Sequence, residues 1–149
     1  MKDIDKGFKN FAKLLDNLAK VKIEAGVFSD VGTNPKSGES IAEYAFYNEY
    51  GTEHIPARPF MSLTADSGGE RWTKLMTDCF DKALETEGKN IDHDLGRIGE
   101  RITGDIRETI SSNISPVNAE STVKRKKSSR TLIDTGALRA AISSKISKV

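Results

Sequence analysis

From Phe8 onward the apolar residues Phe11, Ala12, Leu15, Leu18 and Ala19 recur at helical spacing, with Lys9, Lys13, Asp16 and Lys20 elsewhere on the wheel. The spacing predicts an amphipathic helix. The period then drops to two, because Val21-Lys22-Ile23-Glu24-Ala25-Gly26-Val27 alternates apolar with other residues, as a strand with one buried face does. That strand is expected to seed a sheet. Ser29, Asp30, Gly32, Asn34, Pro35 and Gly38 mark a loop over 29–39. Ser40 is placed to cap a short helix carrying Ile41, Tyr44, Ala45 and Tyr47, and Gly51 to end it in a left-handed conformation.

Pro56 and Pro59 each push the residue before them into the extended region, so Ile55–Phe60 reads as a loop and Pro59 as a helix start. Gly68 and Gly69 are expected to interrupt that helix, ahead of a stripe of Trp72, Leu75, Met76, Cys79, Phe80 and Ala83 that ends near Gly88. Ile91, Leu95, Ile98, Ile102, Ile106 and Ile110 advance by three or four residues each time and predict a second long helix. Gly96, Gly99 and Gly104 fall inside it, each costing about 1 kcal/mol against alanine. Close packing on a neighbour, or deliberate pliancy, would compensate. Residues 113–131 lack apolar periodicity and read as a basic extended loop or arm. A short helical stretch to Ala141 follows, and Ile142 to Val149 reads either as a fraying helix or as an incomplete edge strand. The expected fold is α+β: a single domain over 1–149, in which a small, mainly antiparallel sheet packs against two long helices with extended loops.

Length and composition fit that picture, since 149 residues with 36% hydrophobic and 30% charged suit one well-solvated domain with a core. No apolar run approaches the roughly 20 residues that span a bilayer, and the N-terminal residues lack a signal-peptide pattern, so a cytoplasmic protein with no membrane partner is expected. Cys79 alone cannot form an intramolecular disulfide, and with His54 and His93 as the only histidines the usual four-ligand Cys/His zinc site is excluded. Charge adds the one asymmetry. Residues 116–149 carry +6 and residues 1–115 carry −5, which points to a basic segment meant for a partner.

Candidate chemistry is sparse. Cys79 sits in an apolar stripe and reads as core filler, and Asp92-His93-Asp94 as a solvated helix start whose aspartates face the favourable end of the helix dipole. Asp134-Thr135-Gly136 has the form of an aspartic-protease loop, yet it runs into helix formers, where Asp134 or Thr135 can cap and Gly136 permits close backbone approach. No phosphate-cradling loop, nucleophile elbow or His-Glu-x-x-His occurs, so neither catalysis nor a cofactor is expected. Lys124, Arg125, Lys126, Lys127 and Arg130 form a run that no acid interrupts between Glu120 and Asp134. It reads as a solvated loop or subunit contact ahead of a phosphate binder, since no aromatics are interleaved to stack on bases.

Three patches, taken in order, resemble the virion-morphogenesis proteins of tailed phages, the group of tail-completion, neck and minor tail proteins that join head to tail. The first runs from Ile41-Ala42 to Asn48-Glu49-Tyr50-Gly51-Thr52, and the second is Ile55-Pro56-Ala57-Arg58-Pro59-Phe60. The third is Ser115-Pro116 with Asn118, Thr122 and Lys124, then Leu132-Ile133-Asp134-Thr135-Gly136 with Leu138 and Ile142. The resemblance implies a non-enzymatic virion subunit forming a ring, hexameric or dodecameric, against neck, tail-terminator or tail-tube proteins. Such a ring needs two different surfaces per subunit. The basic run could lie on an acidic surface of the next copy, with Glu39, Glu43, Glu49 and Glu53 as candidates, or line a channel and touch packaged DNA. Arg58, between two prolines, is a candidate rigid contact. The rival expectation is a small nucleic-acid-binding module acting through residues 124–130.

Overall fold

The computed structural model describes residues 7–126 and 129–148. Along them run α1 (Phe8–Ala19), β1 (Val21–Val27), α2 (Ile41–Tyr50), α3 (Phe60–Glu85), α4 (Ile91–Ser111), α5 (Glu120–Lys126), α6 (Ala137–Ala141) and β2 (Ile142–Lys148). The fold is α+β, 57% helical and 12% strand, so helices must cover what the small sheet cannot bury by itself.

β1 and β2 pair antiparallel from Val21 opposite Lys148 to Val27 opposite Ile142. The alternation read in β1 sets its face: Ile23 and Ala25 are more shielded than Lys22 and Glu24, and opposite them stand Ile146 and Ser144. α4 lies against this sheet. Gly99 marks the closest approach, since a Cβ there would meet Ser144 Oγ at 2.6 Å. Close packing therefore accounts for Gly99, whereas Gly96 and Gly104 face open space. The segment after Ala141 resolves as a strand because its alternate residues Ile142 and Ser144 complete the β1 face.

α3 and α4 pack side by side in opposite directions, as Arg71 pairs with Asp105 at 2.7 Å and Lys82 with Asp94 at 2.7 Å. Gly68 and Gly69 do not interrupt α3, which runs unbroken from Phe60 to Glu85. The reason is Trp72: its indole lies back along the helix, and a Cβ at Gly68 would sit 2.7 Å from the ring. From that position Trp72 Nε1 donates to Asp105 Oδ2 at 2.8 Å. The glycine admits an aromatic ring instead of ending a helix.

Two clusters form the core. One gathers Ile41, Ala45, Phe60, Ile106, Ile110, Leu132, Leu138 and Ile142; the other gathers Cys79, Leu95 and Ile98, with Val21 and Ile23 packed on it. α1 leans on the second end, where Leu14 covers Gly88 just beyond α3. The stretch 113–131 is not wholly extended, because α5 forms within it. Ala119 O accepts from Thr122 N and Val123 N at 2.9 and 3.0 Å, and Glu120 places an acid in the first turn, where the helix dipole favours it.

Candidate assembly site

α2 begins where Ser40 Oγ accepts from Glu43 N at 3.4 Å. It ends at Gly51, whose φ of 78° is open to glycine; its ψ of 170° makes it an extended turn and not the left-handed cap expected. A side chain there would strike Ala57 N at 2.9 Å, so Gly51 lets the loop fold back over the helix end. Thr52 holds that loop: its N–H donates to Ile55 O at 2.8 Å and its Oγ1 accepts from Ile55 N at 3.0 Å. The loop closes when Arg58 N donates to Asn48 O at 2.6 Å.

Glu49 then ties α2 to α3. Its carboxylate accepts from Met61 N at 2.8 Å, Ser62 N at 3.0 Å and Ser62 Oγ at 2.6 Å. Pro59, the residue before α3, has no side chain able to cap, so the first-turn amides of α3 are satisfied from another helix. A carboxylate also suits the positive end of the helix dipole. Glu49 is 7% exposed; expected on an acidic outer surface, it turns inward.

Arg58 does the same, at 6% exposed. Its Nε donates to Pro116 O at 2.8 Å and its Nη2 to Asn118 Oδ1 at 3.4 Å. Asn118 Nδ2 in turn donates to Arg130 O at 3.0 Å, and Asn113 Oδ1 accepts from Thr131 N at 3.0 Å. Expected as a presented contact, Arg58 is an internal clamp that closes the base of the basic segment. Burial lowers its pKa from the ordinary guanidinium value, and it remains the charged donor.

The remaining candidates divide between this clamp and the surface. Pro56 is exposed, and Pro59 precedes the first residue of α3. Lys124 is exposed on α5, Arg125 and Lys126 lie on the same helix, Lys127 is outside the described residues, and Arg130 is exposed at the clamp. Asp134 pairs with Lys36 at 3.2 Å instead of capping, while Thr135 Oγ1 accepts from Ala137 N at 3.3 Å and Gly136 takes φ 80° before α6. Tyr44 and Leu138 border the same small pocket as Asp134. The three resembling patches thus touch one another, Arg58 reaching Asn48 of the first and, 58 residues on, Pro116 of the third.

Reading the sequence missed the aromatic surface beside this clamp. Phe46 and Tyr50 stand exposed on α2, with ring centroids 4.8 Å apart, and Tyr47 packs edge-on to Phe46. The signal was there: α2 carries aromatics on more of its circumference than one buried face can use. A concavity of about 720 Å³ is an open trough between α3 and α4 with Cys79 in its lining. Burial pushes the Cys79 thiol pKa up, which keeps it in the unreactive form. Comparison of the chain with family models, with curated proteins and with solved structures finds no match.

Proposed function

We propose that this chain is a structural subunit of a tailed-phage virion, part of a ring at the head–tail junction that joins tail to head. The observation that carries the reading is that the three family-like patches touch, since Arg58 of the second bonds Asn48 of the first and Pro116 and Asn118 of the third. Residues that resemble one family in linear order are the same residues that lock α2, α3 and the base of the basic segment together. A subunit loaded by its neighbours benefits from such a junction, since a charge-assisted network fixes the relative placement of elements that propensity alone would leave loose. The subunit acts by fit and not by catalysis, against copies of itself and neck, tail-terminator or tail-tube proteins.

Electron microscopy of lysates tests this. Loss of the chain is expected to leave filled heads and free tails that fail to join, and its return in trans to restore whole particles. Joined, infectious particles in its absence would overturn the reading. The second reading, nucleic-acid binding, is favoured by the exposed Lys124 on α5 beside further basic residues. It predicts binding to arbitrary duplex DNA that fades steeply with salt.

A further inference from the structure

α1 and α2 leave two apolar faces uncovered at separate places on the molecule. On α1, Phe8, Phe11 and Leu15 are 73%, 46% and 43% exposed, at spacings of three and four that place them on one stripe. Leu18, next along the helix, is buried, and Leu14 lies against Gly88. Phe46 and Tyr50 of α2 rise over a groove of about 430 Å³ whose lining includes Gly26, Ala45 and Met61. Exposed aromatics beside a concave apolar floor are the usual make-up of a docking site.

The two faces cannot satisfy each other within one molecule. α1 rests on Gly88, past the C-terminal end of α3, whereas the groove opens at Met61 and Ser62 in the first turn of α3. β1 lies between them, since α1 ends at Ala19 and the groove begins at Glu24, a stretch of about 17 Å. Their charges are opposite. Residues 8–20 hold three lysines against one aspartate, and residues 41–53 hold no base and, besides the buried Glu49, the exposed Glu43 and Glu53. Two complementary patches at separate places on one chain fit a head-to-tail contact that closes into a ring or runs on as a filament.

We propose that the α1 stripe of one copy seats in the α2 groove of a second copy of this chain. The inference rests on the ring reading above and names the surfaces that would build the ring. Phe8, Phe11 and Leu15 insert beside Phe46 and Tyr50 over Met61, and the lysines of α1 lie along the acidic rim. Because both faces are surface-exposed in the single chain, substitutions there leave its core intact.

Sedimentation velocity on the full-length chain tests this with two variants, Phe11→Glu and Tyr50→Lys. Each places a charge in the apolar contact and repels the like-charged opposite face, so each alone should associate roughly tenfold more weakly or worse. Mixed in equal amounts they retain one intact pairing, the α1 of Tyr50→Lys with the groove of Phe11→Glu. The mixture should therefore associate where neither variant does alone, which also shows that both variants fold. Wild-type-like assembly by either variant, a mixture that stays monomeric, or a wild-type chain that stays monomeric at all concentrations would overturn the proposal. Mass spectrometry of purified particles separates this from the ring reading. A wild-type chain that is monomeric alone yet present in particles sinks the docking and spares the virion role, whereas assembly through these faces with absence from particles does the reverse.

Discussion

Glu49 is a single carboxylate that serves two helices. It terminates no chain of its own; it fills the vacancy left by Pro59, which cannot cap, and receives three hydrogen bonds from Met61 and Ser62. Glu49→Ala should therefore cost about 2–3 kcal/mol, read as a fall in Tm of several degrees, while Glu49→Gln should recover part of it, keeping one acceptor oxygen but setting an amide donor against a donor at the other. Asp105 offers the pH counterpart. Burial pushes its carboxyl up, yet hydrogen bonds from Trp72 and Arg71, with Arg101 at 3.1 Å, outweigh that and hold it below the ordinary aspartate value. A folded-state pKa below the unfolded one gives stability that is complete above about pH 4 and lost as pH falls through the folded value. Thermal melts should show Asp105→Asn less stable than wild type at neutral pH, with the gap narrowing as the buffer is taken below about pH 4.

Elements show where the sequence was informative. The periods of β1 and α4 gave their positions because each carries one buried face, and a buried face leaves a period; the period of α1 marks a stripe that stays exposed. Gly68 misled because a glycine weakens a helix by propensity but also makes room, and which of these applies depends on Trp72 folding back toward Asp105. α5 carries no periodic face at all, and β2 could be told from a helix only once β1 was known to lie opposite. Glu49 and Arg58 were picked out by resemblance and given the wrong orientation, because nothing local tells a surface charge from one satisfied by partners 12 or 58 residues away. The glycines of α4 give a clean contrast. Gly99→Ala should lower Tm, since its Cβ would collide with Ser144, whereas Gly104→Ala, with open space around it, should raise stability by roughly 0.5–1 kcal/mol.

Over the whole molecule, Arg58 determines whether the basic segment is anchored. It reaches Pro116 and Asn118, and Asn118 reaches Arg130, so the two ends of a stretch that includes α5 are pinned to the loop between α2 and α3. Arg58→Lys keeps the charge but loses the planar fork that serves both acceptors. Limited proteolysis should find cleavage between residues 115 and 130 faster in Arg58→Lys than in wild type, with cleavage elsewhere unchanged. Equal rates would mean the segment is held by other contacts.

The pairing of β1 with β2 joins residues 21–27 to residues 142–148, and this has a consequence for biosynthesis. During translation β1 emerges more than a hundred residues before its partner, so in the interval the first strand has an open ladder and the α4 face beneath it is incompletely covered. Long-range pairing of this kind is slow and leaves unfinished chains sticky. Fragments that stop short of Ile142 lack the strand that completes the sheet, which gives the cell a physical basis for discarding truncated chains.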